Sequence, residues 1–181
     1  MKIIFLGVQG SGKSTQAKIL AKELSMPYLE MGHLLRLKAD QPDNEAKKLK
    51  AILDSGQLVE NNLTISILRE KLNQLDPVVG YILDGFPRNA AQYNALDPDI
   101  ELVFYVNVSD EEATKRLFER ARSDDTSDAL KKRLDIYHGQ TEPLLANFAQ
   151  KNILQEVDGQ RPVGVIHQEI VQIVKSHNKY Q

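Results

Sequence analysis

A glycine-rich segment near the start of the chain has the residue types needed to hold phosphate groups. Residues 7–14 read Gly-Val-Gln-Gly-Ser-Gly-Lys-Ser and fit the pattern G-x-x-x-x-G-K-[ST], in which successive backbone N–H groups surround phosphate oxygens. Lys13 would supply a positive charge for the β- and γ-phosphates, and the Ser14 hydroxyl is suited to ligate Mg²⁺. An apolar strand pattern precedes the segment and a helical pattern follows it, as the motif requires. The segment therefore predicts binding of a nucleoside triphosphate.

Arginines elsewhere in the chain indicate what is done with the triphosphate. Moving a phosphoryl group between two phosphorylated molecules gathers several negative charges, and fixed guanidinium groups stabilise that charge without reorganising. A GTPase switch would instead need Asp-x-x-Gly, which the chain lacks, and its only Asn-Lys pair is Asn178-Lys179 next to the end. The pattern favours a small kinase that acts on a phosphorylated acceptor, with candidate arginines Arg36, Arg88, Arg116, Arg120, Arg122 and Arg133.

The elements that must position these residues alternate along the chain. Short apolar runs predict buried strands at Lys2–Leu6, Tyr81–Leu83, Leu102–Val106 and Ile153–Val157, with a shorter one near Pro27–Leu29. Segments with apolar residues at helical spacing lie between them, including one long stripe from Leu130 to Phe148. Alternation of this kind predicts an α/β fold: a doubly wound parallel sheet of about five strands, of the P-loop NTPase type. Ligands of such sheets bind outside the carboxyl ends of the strands.

Two stretches interrupt the alternation. Residues 31–60 are helical and polar without a strand, which predicts a small helical insertion, and residues 121–127 predict a short exposed loop. We therefore expect residues 1–181 to form one domain, whose core comprises residues 1–30, 61–120 and 128–181.

Composition limits the remaining possibilities. The formal net charge is −2, which argues against a general nucleic-acid-binding surface, and no apolar stretch is long enough to span a membrane. The chain has no cysteine, so we expect neither disulfides nor thiolate-bound zinc. A cytoplasmic protein is the expectation.

The motifs together resemble the adenylate kinase family of nucleoside monophosphate kinases over nearly the whole chain. The most specific match is Asp84-Gly85-Phe86-Pro87-Arg88, which is similar to the family's Asp-Gly-aromatic-Pro-Arg signature. Further similar segments are Met31 to Arg36, Gly56 to Val59, Arg122 to Asp125, Arg133 to Leu144, and Asp158 to Val163. The resemblance implies a core with an insertion at residues 31–60 that binds the monophosphate, and a minimal lid at residues 121–127 without structural zinc.

The resemblance also implies residue roles. ATP, the donor, would be bound by Gly10, Ser11, Gly12, Lys13, Ser14, Thr15, Arg116 and Arg161. AMP, the acceptor, would be bound by Met31, Gly32, Arg36, Gln57, Leu58, Val59, Gly85, Arg88, Gln92, Arg122 and Arg133. Catalysis would depend on Lys13, Arg88, Arg120, Arg122 and Arg133, and Mg²⁺ would be held by Ser14 and Asp84, largely through water. A monomer is expected.

Three residues depart from the family pattern. Met31 replaces a hydroxyl-bearing residue that faces the acceptor base, His33 replaces a carboxylate that orders Mg²⁺, and Gln9 replaces the proline of the phosphate loop. Gln92 favours AMP as the acceptor, since pyrimidine kinases of the family carry asparagine there. The alternatives are a UMP/CMP kinase and a nucleotide-sensing protein with weakened catalysis.

Overall fold

The computed structural model describes residues 1–76, 78–120 and 126–178, and at its centre is a five-stranded parallel sheet. In chain order the strands are β1 (Lys2–Leu6), β2 (Tyr28–Glu30), β3 (Tyr81–Asp84), β4 (Leu102–Asn107) and β5 (Leu154–Asp158). Their order across the sheet is β2-β3-β1-β4-β5, and every pair is parallel. The predicted fold class is confirmed.

Helices cover both faces of this sheet. Those described are α1 (Lys13–Leu24), α2 (Met31–Ala39), α3 (Asn44–Asp54), α4 (Asn61–Leu72), α5 (Ala90–Tyr93), α6 (Asp110–Arg120), α7 (Ser127–Ile136), α8 (Leu144–Gln150) and α9 (Val163–Asn178). None of the helices in the described part of the chain combines the length and the apolar character needed to traverse a bilayer.

Successive residues of β1 are buried on opposite sides of the sheet, which explains its unbroken apolar sequence. Ile3 and Phe5 pack in a core with α1 and α9, whereas Ile4 and Leu6 pack in a second core with α2, α4 and α8. A strand buried on both faces has no position for a polar side chain until it ends. Polar and glycine residues therefore begin where the strands stop, at the edge of the sheet where the site lies.

Residues 31–60 are helical, as expected, but they do not pack as a separate body. Leu35 and Ala39 of α2 and Leu49 of α3 belong to the same hydrophobic cluster as Ile4 and Leu83 of the sheet. This shared core fixes the start of α2 beside the end of β2.

The apolar stripe from Leu130 to Phe148 does not form one continuous helix. It divides into α7, a π-helical segment (Tyr137–Thr141) and α8. Pro143 has no N–H to continue the helical ladder, and Glu142 N bonds to Tyr137 O at 2.9 Å, five residues back. The Thr141 hydroxyl donates to Arg88 O at 2.8 Å, so the wider turn ties this region to the loop after β3.

Candidate active site

The phosphate loop is a tight backbone turn between β1 and α1. Gly10 has φ 88°, and a Cβ at this position would lie 2.3 Å from Ala113 O. Glycine is therefore needed both for the left-handed backbone and for the close approach to α6. Gly12 precedes α1 and has no side chain to cap it, and the one side chain recorded at this turn, Ser11 Oγ, accepts from Lys13 N at a long 3.4 Å. An exposed helix N-terminus of this kind attracts phosphate.

A cavity of about 610 Å³ lies at the carboxyl ends of the strands, a size that suits small-molecule ligands. The phosphate loop forms one wall, the ends of β2 and β3 form another, and the turn between β5 and α9 forms a third. Residues predicted for the site that line it are Gly10, Ser11, Gly12, Lys13, Ser14, Thr15, Gly32, Arg36, Gln57, Asp84, Gly85, Arg88, Arg116, Arg133 and Arg161. Residues from distant parts of the sequence therefore surround one space.

Three arginines from different elements converge in this cavity. Burial lowers the pKa of Arg88, the charges of Arg133 and Arg36 lower it further, and the Asp84 carboxylate opposes the change. All three guanidinium groups therefore belong to the lining of one cavity, and the charges of Arg133 and Arg36 act on Arg88. The free protein holds positive charge at an energetic cost that a bound phosphate would offset.

Each of these arginines is held by the elements around it. Arg88 Nε donates to Gly85 O at 3.0 Å, and Arg36 Nη2 bonds to Glu30 Oε1 at 3.1 Å. Arg133 Nη2 donates to Leu53 O at 3.2 Å, so this arginine joins α7 to the end of α3. Fixed guanidinium groups lose little entropy when a phosphate binds, which suits them to stabilising charge during transfer.

Arg116 connects two walls of the cavity. Its Nε donates to Glu112 Oε1 at 2.7 Å, one turn earlier in α6, as the helical spacing predicts. Its Nη1 donates to Gly159 O at 3.0 Å and lies 3.4 Å from Ser11 O. This arginine therefore fixes the phosphate loop relative to the turn after β5, in addition to lining the cavity.

Two carboxylates, those of Glu30 and Asp84, lie at the ends of β2 and β3. The Tyr28 hydroxyl donates to Asp84 Oδ2 at 2.9 Å, and it lies 3.3 Å from Glu30 Oε2. Burial and then the charges of these two carboxylates raise the pKa of Tyr28, which stays protonated as a donor. Asp84 is only 1% exposed, and its other oxygen, Oδ1, has no hydrogen-bond partner among the described residues. A buried carboxylate oxygen without a partner is costly, which indicates a ligand for it.

The third wall is suited to a flat apolar group. Arg161 pairs with Glu169 and its Nε donates to Asp158 O at 3.3 Å, so the start of α9 is held against the end of β5. The Gln16 amide donates to Val163 O at 3.0 Å and links α1 to α9. The cavity here is bounded by the side chains of Pro162, Val163 and Ile166 together with the two arginines Arg116 and Arg161.

Some predicted residues lie outside the cavity lining that the described residues form. Met31 and Val59 are buried in the hydrophobic core, and Gln92 is 2% exposed, with its Oε1 accepting from Arg88 N at 2.8 Å. Leu58 lines a separate cavity of about 40 Å³ that adjoins the main one. His33 is exposed on α2 and is not part of the lining of either cavity. The Gln92 amide thus positions the Arg88 backbone.

Two predicted arginines cannot be placed. Arg122 lies outside the described residues, as does most of the loop predicted at residues 121–127. Arg120 ends α6, but its side chain is also outside the described part.

Sequence reasoning missed Glu30 as a site residue. Glu30 Oε1 pairs with Arg36 Nη2, and Glu30 Oε2 lies 3.1 Å from Lys18 Nζ. The only feature of the sequence that could have identified Glu30 as a site residue is its place at the end of a very short strand. Among the described residues no group of three or more His, Cys, Asp or Glu side chains is arranged to hold a metal ion by itself.

Comparisons with known proteins agree with this geometry. A family model described as adenylate kinase matches residues 5–153. An adenylate kinase from Thermobifida fusca (strain YX) is 35% identical, covering 97% of this chain and 99% of the relative. An adenylate kinase from Prochlorococcus marinus (strain MIT 9301) is 36% identical over 94% of this chain and 96% of its own. One from Parvibaculum lavamentivorans (strain DS-1) is 39% identical over 89% and 85%.

Proposed function

Because this chain belongs to the adenylate kinase family, we propose that it moves the γ-phosphoryl group of ATP to AMP and so forms two molecules of ADP. The observation that carries the proposal is the convergence of Arg36, Arg88 and Arg133 on the cavity that also contains the phosphate loop. A triphosphate-binding protein without a phosphorylated acceptor has no need of this second, mutually repelling cluster of charge. The chain is an enzyme of this family, and its substrates are ATP and a nucleoside monophosphate.

The donor site follows from the loop and the wall formed by α9. The N–H groups of the first turn of α1 and the Lys13 ammonium would hold the triphosphate, whose negative charge the helix dipole favours. The adenine would lie between the Arg116 guanidinium and the apolar start of α9, because an arginine plane stacks well on an aromatic ring. The bonds of Arg116 to Ser11 O and Gly159 O would keep that distance fixed.

The acceptor site lies between the helical insertion and the loop after β3. Arg36 and Arg88 would bind the acceptor phosphate, with Arg133 facing the group in transfer. Gln57 and Leu58 are the predicted base contacts that line a cavity, so they are better placed for that contact than Met31 or Val59. The role of Gln92 is supported as a positioning residue for Arg88, whereas its reading of the base stays a prediction.

The residues present also fit a magnesium ion. Mg²⁺ prefers oxygen ligands and keeps several waters, and the unpartnered Asp84 Oδ1 and the Ser14 hydroxyl are oxygen donors of the same cavity. Bound there with ATP, the ion would neutralise charge on the β- and γ-phosphates. Since Tyr28 already donates to Asp84 Oδ2, the other oxygen would be the one to hold the ion or its water.

Catalysis would consist of positioning and charge stabilisation. Phosphoryl transfer requires the attacking and leaving oxygens roughly in line, with little covalent chemistry for the protein to do. Lys13 and the three arginines would surround the charge as it moves, and closure of the site would keep water from taking the phosphoryl group.

A coupled assay with ATP, Mg²⁺ and each monophosphate tests the proposal. We expect ADP formation with AMP at a kcat/KM at least about tenfold above that with CMP or UMP, since a pocket built to hydrogen-bond one base rejects others. A tenfold preference in the opposite direction would assign the enzyme to pyrimidine monophosphates. Tight nucleotide binding without any phosphoryl exchange would indicate a sensing protein.

A further inference from the structure

Gln9, in the phosphate loop, lies where the two predicted nucleotide sites meet. It lines both the main cavity and the small adjoining one. The two cavities also share Lys13, Arg88 and Arg133. Lys13 is the predicted contact of the donor phosphates and Arg88 that of the acceptor phosphate, so a residue shared by these walls lies beside the point of transfer.

The amide oxygen of Gln9 is not satisfied by the described residues around it. Its Oε1 is buried and has no hydrogen-bond partner in the part of the chain that the structure describes. An unpaired buried amide oxygen costs the desolvation of that group, and most buried polar atoms in proteins are paired. The orphaned oxygen indicates that the partner of this side chain is a ligand or a group that moves with one.

A carboxamide suits this place because it can accept and donate at once. The surrounding groups shared by the two cavities are cationic donors, which can supply an N–H to Oε1. The amide nitrogen would then be left to donate to an oxygen of an anion held by the same cations. A carboxylate could not donate in this way, and the proline of the family pattern has no polar side chain at all.

We propose that Gln9 is a further catalytic residue, whose amide nitrogen donates a hydrogen bond to the phosphoryl group as it passes from ATP to the acceptor. This inference rests on the proposed function. In the transfer, the bond from the γ-phosphorus to the leaving oxygen of ADP breaks as the bond to the acceptor phosphate oxygen forms. Gln9 loses and gains no proton. It adds a neutral donor to a group of fixed charges.

Substitution by methionine tests the contact, because methionine has similar length but neither donates nor accepts strongly. We expect Gln9→Met to lower kcat by roughly 10- to 100-fold, as for the loss of a hydrogen bond to a charged group. The dissociation constants of ATP alone and of AMP alone, measured by calorimetry, should change by less than about threefold, since the contact forms mainly in the transition state. Gln9→Glu should lower kcat further, because a carboxylate repels the phosphoryl oxygens.

Gln150→Met is the matched control, since Gln150 is exposed at the end of α8 and should leave kcat unchanged. If Gln9→Met keeps the wild-type kcat, or if its effect lies wholly in nucleotide affinity or thermal unfolding, Gln9 is a structural residue and the inference is wrong. If the wild type transfers phosphoryl groups but its kcat does not change when Gln9 is substituted, only this inference is wrong and the proposed function stands. A wild type that exchanges no phosphoryl group contradicts the proposed function and the inference with it.

Discussion

Replacing Arg88 with methionine separates the acceptor site from the donor site. The substitution removes the guanidinium that approaches the charges of Arg36 and Arg133 but keeps an unbranched side chain of similar length. The substitution also removes the bond from Arg88 Nε to Gly85 O, but the backbone contacts of Arg88 with Gln92 and Thr141 do not involve the guanidinium and should hold the loop after β3 in place.

The expected loss follows from the contact that is removed. A charge-assisted pair between arginine and phosphate stabilises the transition state by about 2–3 kcal/mol, which lowers kcat/KM for AMP by roughly 30- to 150-fold. The affinity for ATP should change by less than about twofold, since the donor is held by the phosphate loop and Lys13.

The thermal stability of Arg88→Met should not fall with its activity. Burial and the charges of Arg133 and Arg36 lower the pKa of Arg88, so the folded state disfavours this charge relative to the unfolded state. Because an arginine side chain remains protonated in proteins, the charge is present in the wild type, and removing it relieves that cost. The thermal midpoint of Arg88→Met without nucleotide should therefore equal or exceed that of the wild type.

Steady-state kinetics, ATP titration and thermal unfolding of the same preparations check this reasoning. Arg69→Met is the matched control, because Arg69 is exposed on α4 and outside the cavity, and it should be close to wild type in all three. If ATP affinity collapses in Arg88→Met while AMP affinity survives, the two nucleotide sites have been assigned in reverse. A marked fall in the thermal midpoint would instead make Arg88 a structural residue.

Three further predictions concern charge. Lys13→Met should reduce kcat below about a tenth of wild type while retaining the fold, because the ammonium, 3.3 Å from Val8 O, lies in the loop that we propose binds the triphosphate. Stopped-flow turnover and circular dichroism measure the two effects. Asp84→Asn should raise the Mg²⁺ concentration for half-maximal activity by about tenfold or more, and equal Mg²⁺ titrations would exclude a metal role. The hydrogen bond to Glu142 raises the pKa of His138. Protonated His138 therefore stabilises the folded state below about pH 6.5, and this contribution to the free energy of unfolding is lost as the pH rises through the raised pKa. His138→Gln should thus cost less than about 1 kcal/mol, since the pair is exposed, and urea unfolding should show the difference vanish at alkaline pH.

The candidate phosphate-binding residues of the loop were predicted from the sequence alone. The loop from Gly7 to Ser14 depends on neighbours in sequence, because its glycines set the backbone and the next residues start α1. The central strands were evident for a similar reason: a strand covered on both faces is mostly apolar, and the polar residues Asp84 and Asn107 mark the ends of β3 and β4.

Which of the predicted site residues are buried could not be derived from the sequence. Met31, a predicted contact of the acceptor base, is buried in the core, and Gln92 Oε1 accepts from Arg88 N. The positions of both side chains depend on which face of their helix is buried, and the elements that pack against the helix decide this. The division of the stripe after Leu130 likewise depends on Thr141 meeting a carbonyl far along the chain.

The sequence by itself determined the phosphate loop, the alternation of strands and helices, and the set of arginines available to meet phosphate. Those features arise from local backbone geometry and from the periodicity of burial, which act over a few residues. Only the tertiary structure decided that Arg36, Arg88 and Arg133 share one cavity, that one Asp84 oxygen has no hydrogen-bond partner among the described residues, and that Gln9 lines two cavities. These outcomes depend on the order β2-β3-β1-β4-β5, because the parallel register brings the ends of strands distant in sequence to a single edge of the sheet.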